Sequence, residues 1–231
     1  MTPQINLSEI DVDGAVREAA DAVSGDTRLD FLKKAGITGG ALLSGGAVLS
    51  ALAPSALAAS GGGRPPASFG RGDVGVLNYA LTLEYLEAAF YNGASAANLP
   101  LSAQGKVFLE TVTKDENEHV KFLKKALGSK AAKEPMFDFK GANTNVETFM
   151  ATAEVLENTG VHAYSGQALN IKNPSYVKAA LSILTVEARH ASVIGLLNGA
   201  KGSLTPNGAF DTPYTAAKVL SAVKGTGFIA G

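Results

Sequence analysis

The sequences ENEH at residues 116–119 and EARH at residues 187–190 decide the fold of this chain. In each of them a glutamate and a histidine are three residues apart, which places both side chains on one face of an α-helix. Such a pair can hold a metal ion from a single rigid element. The chain has only three histidines in 231 residues, and two of them, His119 and His190, follow a glutamate at this spacing. The alternative is a surface pair that only supports its helix.

Helical periodicity surrounds both motifs. Apolar residues spaced three and four apart predict a first helix over 73–91, closed by Asn92-Gly93 and Leu99-Pro100. The second helix is predicted to begin at its N-cap, Ser102, and to end at its C-cap, Gly128. The third and fourth helices are predicted over 145–169 and 175–198. These elements indicate an all-α protein, and we find no alternating pattern long enough for a sheet.

The connection between the second and third helices, residues 129–144, is long for two adjacent antiparallel helices. A crossover of this length allows the second and third helices to run parallel in a four-helix bundle. The bundle is predicted to span 73–199. The remaining segment, 200–231, is predicted to be a tail with one short helix over 214–223.

The first and third helices each carry a tetrad with two glutamates, EYLE in the first and EVLE in the third. Glu84 and Glu157 continue the apolar stripes of their helices, and a carboxylate in a core stripe is costly unless it is neutralised. Two divalent cations shared by four inward carboxylates would neutralise them. The other glutamate of each tetrad, Glu87 or Glu154, is a candidate for an extra ligand or for a group that contacts the ligands.

A tyrosine lies two helical turns beyond each favoured glutamate, Tyr91 beyond Glu84 and Tyr164 beyond Glu157. Their hydroxyls could hydrogen-bond ligand carboxylates, or the rings could be ordinary core aromatics. In each half, a nearly equal length of chain separates the favoured glutamate from the glutamate of the Glu-x-x-His motif. This similar spacing indicates a repeated helix hairpin with an approximate twofold axis.

Composition limits the chemistry of the site. The formal net charge is −1 and no long basic patch is present, so we predict no nucleic-acid partner. The chain has no cysteine, which excludes disulfides, thiolate zinc sites and iron–sulfur clusters. Any metal ion must therefore be held by nitrogen and oxygen ligands.

The N-terminal segment, 1–60, has a separate pattern. An acidic stretch over 1–26 is followed by basic residues and then by an uncharged, Ala/Leu/Gly-rich run over 35–63. This order is typical of an export signal with a small-residue cleavage site. It resembles a twin-arginine signal with Leu29 in place of the second arginine, and a membrane anchor is the alternative. Residues 61–72 are predicted to form a Gly/Pro linker.

These motifs together resemble the ferritin-like domain of exported bacterial proteins, a group that includes the plant desiccation-related proteins. One glutamate on each of two helices and Glu-x-x-His on the other two is the ligand set of ferritin-like di-iron and di-manganese carboxylate proteins. The resemblance covers about 73–224. It implies a ferritin-like four-helix bundle and six metal ligands: Glu84, Glu116, His119, Glu157, Glu187 and His190.

The function implied is that of an oxidoreductase with two Fe or two Mn ions, iron being slightly favoured, that acts on Fe(II), dioxygen or hydrogen peroxide. Ferroxidase, peroxidase and manganese-catalase-like activities all stay open. The expected location is periplasmic or extracellular, or membrane-anchored if the signal stays in place. The N-terminal segment would meet the export machinery or the membrane, and the bundle could form a homo-oligomer. The alternative function is a non-catalytic stress or desiccation-related protein whose metal site is vestigial or structural.

Overall fold

The computed structural model describes residues 63–199, 205 and 208–230. The predicted acidic segment and export signal, residues 1–60, lie outside the described residues, as do 61–62 of the linker and most of 200–207. Within the described residues the chain forms four long α-helices and a shorter one: α1 (Gly72–Ala96), α2 (Ala103–Leu127), α3 (Val146–Gln167), α4 (Pro174–Leu197) and α5 (Ala216–Thr226). Two very short strands complete the fold, β1 (Met136–Phe137) and β2 (Ile229–Ala230).

Helix ends follow local sequence signals. The side chain of Ser102 accepts a hydrogen bond from the backbone N–H of Gly105 at 3.0 Å, which confirms the predicted N-cap of α2. Gly128 ends the same helix with a φ of 56°, a conformation that favours glycine. Asn145 caps α3 by accepting from the N–H of Glu147 at 2.9 Å. Because these signals act over one helical turn, the sequence predicts them well.

The predicted end of α1 at residue 91 is wrong, because the helix continues through Asn92-Gly93 to Ala96 and stops before Leu99-Pro100, the second predicted closing pair. Gly93 serves packing there, since a Cβ at this position would overlap Nδ2 of Asn143. The Asn143 amide in turn donates to the carbonyl of Phe90 at 3.3 Å. Asn92 exchanges hydrogen bonds with Asn117 of α2. The asparagine and glycine thus mark close helix contacts.

Helices α1 and α2 pack as one hairpin and α3 and α4 as the other, with further contacts between α1 and α3 and between α2 and α4. The long connection carries the chain from one hairpin to the other, and the all-α bundle that the sequence predicted is confirmed. By length and composition alone α4 could span a membrane. Its buried face, however, carries Glu187 and His190 into the bundle.

The C-terminal segment docks on α3. The N–H of Tyr214 donates to the carbonyl of His162 at 3.0 Å, and a Cβ on Gly166 would overlap the Tyr214 carbonyl oxygen. The helix α5 that follows packs on α3. Strands β1 and β2 pair antiparallel, with Met136 opposite Ala230. We predicted no strands. A two-residue pairing between distant segments leaves no alternation in the sequence.

Candidate metal centre

Each bundle helix brings one carboxylate into the interior. Glu84 of α1, Glu116 of α2, Glu157 of α3 and Glu187 of α4 all have 0% exposed surface. They lie there because each continues the apolar face of its helix. Four buried carboxylates are very unfavourable unless cations or hydrogen bonds compensate their charge.

Two imidazoles complete the cluster. Nδ1 of His119 lies 3.2 Å from a carboxylate oxygen of each of Glu84, Glu116 and Glu187. Nδ1 of His190 lies 3.2 Å from Glu116 and 3.3 Å from Glu157. Each histidine is one turn beyond a glutamate on its helix, so both side chains point into the bundle.

The ligand atoms form two groups that share two residues. One group contains Glu84 and His119, and the other contains Glu157 and His190. Glu116 and Glu187 belong to both, and within each group the candidate ligand atoms lie within 4.8 Å of one another. Each group thus brings three carboxylates and one imidazole close enough together to hold a metal ion.

Several polar atoms of this cluster have no hydrogen-bond partner among the described residues. They are Oε1 of Glu116, Oε2 of Glu157, both carboxylate oxygens of Glu187 and Nδ1 of His190. The imidazole nitrogens that lie 3.2–3.3 Å from three of these oxygens make close ion-pair contacts with them, without the geometry of a hydrogen bond. Buried polar atoms in native proteins are nearly always paired. Lone pairs that converge without hydrogen bonds are what metal coordination requires, so the donor set fits metal ions.

Two tyrosines tie the hairpins together. Tyr91 of α1 donates its hydroxyl to Oε1 of Glu157 on α3. Tyr164 of α3 donates to Oε1 of Glu84 on α1. Of the two interpretations that the sequence allowed, the structure has the hydrogen-bonded one, and the two bonds are related by the approximate twofold. Each tyrosine thereby orients the terminal carboxylate of the other hairpin.

The fold and this geometry agree with comparison to known proteins. The ferritin-like domain family matches residues 72–200, which is more than half of the chain and includes all six predicted ligands. The chain belongs to the ferritin-like family. No curated protein sequence matches the chain. Family membership accounts for the bundle and for Glu/His clusters that can bind metal, and it leaves the metal and the reaction undecided.

The two glutamates left over from the tetrads have different surroundings in this ferritin-like bundle. Glu87 is buried, and its Oε1 lies 3.3 Å from the Cβ position of Gly160 in α3. Glu154 lies outside the cluster and accepts a hydrogen bond from Asn198 at 2.5 Å. Burial and the negative charges of Glu187 and the other carboxylates raise the pKa of Glu87 well above its ordinary value. Glu87 is therefore a buried carboxyl beside the cluster, whereas Glu154 is not part of it.

Burial and mutual repulsion also set the charges of the ligands. Burial and the negative charge of Glu84 raise the pKa of Glu116 to about 7. Burial and the negative charge of Glu116 raise the pKa of Glu187 well above its ordinary value. Burial also tends to raise the pKa of Glu84, but the hydrogen bond and charge of His119 outweigh it and lower that pKa. Metal binding must displace the protons that these groups share.

Asp115 is a functional residue that the sequence analysis did not single out. Its Oδ2 lies 3.2 Å from Nε2 of His190. A histidine that donates Nε2–H to a carboxylate keeps its Nδ1 lone pair free for a metal. The only local signal was its place directly before Glu116. The equivalent residue before Glu187 is Val186, which has no carboxylate. His190 therefore has this hydrogen-bond partner, and His119 has no equivalent of it at that position.

The third histidine has a different role. His162 is 7% exposed and belongs to neither ligand group. Its Nδ1 is 3.5 Å from Asp211, and its ring stacks on Tyr214 with centroids 4.2 Å apart. These contacts hold the C-terminal segment against α3.

Proposed function

We propose that the chain is a dimetal carboxylate oxidoreductase that uses two Fe or two Mn ions to act on Fe(II), dioxygen or hydrogen peroxide. The observation that carries the proposal is the pair of ligand groups sharing Glu116 and Glu187. Bound there, two ions that each change oxidation state by one unit supply a two-electron exchange. With two protons, two electrons convert dioxygen to hydrogen peroxide, or hydrogen peroxide to two waters.

Charge and donor type support Fe or Mn. The four buried glutamates carry a formal charge of −4 when ionised, which two divalent ions balance, and both imidazoles are then neutral. Four carboxylates and two imidazoles form an oxygen-rich donor set that suits iron or manganese better than copper.

The remaining residues orient the ligands. Tyr91 and Tyr164 each hold one carboxylate oxygen of a terminal glutamate, which leaves the other oxygen for a metal. Asp115 holds the proton on Nε2 of His190. Because all four ligand carboxylates are fully buried, bulk water is excluded from them and their positions are set by packing.

The location and the subfamily rest on the N-terminal sequence. A basic segment before a long uncharged run supports export to the periplasm or the extracellular space, with membrane anchoring if the signal is retained. Similarity of the motifs to desiccation-related proteins supports a role in stress protection.

Metal loading tests the proposal. Metal-free protein is loaded anaerobically with Fe(II) or Mn(II), and bound metal is counted by elemental analysis. We expect two ions per chain, and we expect their loss in Glu116→Gln. Glu154→Gln is the control, because it makes the same substitution at a glutamate of the bundle that lies outside the cluster. Equal metal content in all three proteins would contradict the proposed site.

Turnover separates the two functions that the site supports. Addition of dioxygen or hydrogen peroxide to the loaded protein should oxidise Fe(II) or consume peroxide, and Glu116→Gln should not. The non-catalytic alternative is supported by the cost of burying four carboxylates, which a structural metal would remove. Two bound ions that raise the melting temperature without any turnover would favour that alternative.

A further inference from the structure

An apolar cavity lies in the core layer next to the ligand cluster. It has a volume of about 30 Å³ and is lined from all four bundle helices, among others by Leu83, Leu123, Tyr164 and Ile183. Leu83 directly precedes Glu84, Leu123 is four residues after His119, and Ile183 is four residues before Glu187. One helical turn, about 5.4 Å of rise, thus separates the cavity lining from the ligands. Tyr164 contacts both, because its hydroxyl donates to Glu84.

The cavity exists because the two halves of the bundle are unequal. Val76 and Phe149 are separated by the same length of chain as Glu84 and Glu157, so they occupy equivalent positions in α1 and α3. At one end Phe149 packs on Tyr91, with ring centroids 6.1 Å apart. At the other end the smaller Val76 lines the cavity.

Helices α2 and α4 show the same difference. Phe108 and Ala179 are separated by the same length of chain as Glu116 and Glu187, and they too are equivalent. Phe108 packs on Tyr91 with centroids 6.2 Å apart, whereas Ala179 lines the cavity. Two phenylalanines at one end are thus replaced by valine and alanine at the other, and the space they would fill stays open.

The lining determines which molecule the space can hold. A buried water needs two to four polar partners, and a volume of about 10–15 Å³ is enough for one. Tyr79 lines the cavity, and its buried hydroxyl has no hydrogen-bond partner within the part of the chain that the structure describes. The amide of Gln167, which also lines it, donates to the carbonyl of Gly63 at 2.8 Å. A single free hydroxyl gives too few hydrogen-bond partners for water or hydrogen peroxide, because either molecule would lose hydrogen bonds on moving from solvent into the cavity.

We propose that this cavity binds dioxygen next to the ligand cluster, so that dioxygen rather than hydrogen peroxide is the oxidant. The choice of oxidant rests on the proposed dimetal function, and the binding of an apolar gas does not. Dioxygen is small, apolar and without hydrogen atoms to donate. Phe122, which lines the cavity and is 42% exposed, marks the side from which the gas enters.

Xenon tests the cavity without any metal or turnover. Crystals of the full metal-free chain under xenon pressure should show a xenon atom between Tyr79, Tyr164 and Ile183. Ala180→Leu, which introduces the residue found at the equivalent position 109, should remove that peak, and so should Ala179→Phe. Ala151→Leu is the matched control on the exposed face of α3 and should keep it. Absence of xenon from this cavity in the wild-type protein would overturn the proposal, whether or not the protein binds metal.

Kinetics then tests the oxidant. In the metal-loaded protein we expect Ala180→Leu to raise KM for dioxygen at unchanged kcat and to leave any reaction with hydrogen peroxide unchanged, with Ala151→Leu like wild type. Turnover of hydrogen peroxide without turnover of dioxygen would refute the choice of oxidant. An equal change for both oxidants, or no change for dioxygen, would refute the assignment. A protein that binds xenon here but turns over neither oxidant would refute the oxidoreductase function and leave the gas site standing.

Discussion

Gly160 provides the space for the carboxylate of Glu187, which both ligand groups share. A Cβ at this position would lie 2.8 Å from Oε2 of Glu187 and 3.3 Å from Oε1 of Glu87. Ordinary contact begins at 3.4 Å, so in Gly160→Ala the Glu187 oxygen must move by the difference, 0.6 Å. Metal–ligand distances vary by only about 0.2 Å at a well-formed site. Because Glu187 belongs to both ligand groups, the shift affects both metal positions.

We expect Gly160→Ala to weaken metal binding about 10–100-fold, the usual effect of displacing a group that supports a ligand. Its effect on the metal-free protein should be much smaller, because alanine is better than glycine within a helix by about 1 kcal/mol and this offsets part of the crowding. The matched control is Gly195→Ala in α4, whose Cβ would meet only Oε1 of Glu154 at 3.8 Å. That control should gain stability of up to about 1 kcal/mol and bind metal as wild type does.

Competition with a chromophoric chelator measures the affinity, and thermal unfolding with excess chelator measures the stability of the metal-free protein. Wild-type affinity in Gly160→Ala would refute this expectation, because it would show that the Glu187 carboxylate does not occupy its observed position when metal is bound. Equal loss of affinity in Gly160→Ala and Gly195→Ala would also refute it, by tracing the loss to the helices in general.

The structure also predicts the direction of three further effects, one of pH and two of substitutions. In the metal-free protein the pKa of Glu116 is raised from 4.5 to about 7, and the pKa of His190 is raised from 6.5 to about 11 because its neighbouring carboxylates outweigh burial. Groups whose pKa is raised on folding stabilise the protein fully below their unfolded pKa values and lose that effect as pH rises through the folded values. The metal-free melting temperature should therefore fall from about pH 5, through the folded pKa of Glu116 at about 7, toward the folded pKa of His190 at about 11. The melting temperature of the metal-loaded protein should instead rise with pH, since protons compete with metal for the same ligands. If both melting temperatures fell with pH, the assignment of these residues as metal ligands would be contradicted. Asn78→Ala removes a side chain that bonds the Phe69 and Lys130 carbonyls and the Ala132 N–H, and chemical denaturation should show a loss of about 1–3 kcal/mol with metal stoichiometry unchanged. Gly166→Ala puts a methyl group where the Tyr214 carbonyl lies, and limited proteolysis should then cut the C-terminal segment faster; an unchanged cleavage rate would show that the segment is held elsewhere.

Local signals made much of the fold predictable. The period of apolar residues identified the bundle helices, and Ser102 and Gly128 identified two of their ends, because capping acts within one turn. The same rule predicts a helix end at Asn92-Gly93, but α1 continues through this pair, where the absence of a Cβ on Gly93 makes room for the Asn143 amide. A local rule cannot separate these two uses of glycine.

In the candidate site, too, some features follow from local sequence and others from tertiary contacts. The sequence by itself determined that a glutamate and a histidine three residues apart share a helix face, since helix geometry alone fixes that relation. Only the tertiary structure decided that Glu87 faces the cluster while Glu154 does not, and that Asp115 supports His190. These outcomes depend on how far each helix is rotated about its axis and on which neighbour it meets.

The cavity is the feature that the sequence predicts least. The sequence contains the unequal pairs Phe149 with Val76 and Phe108 with Ala179, but those residues are neighbours only in the folded bundle. Whether smaller side chains leave a space or let the helices close on it depends on packing in three dimensions. The chain's sequence thus determined which groups could bind metal, and its packing decided how they are arranged and what space lies beside them.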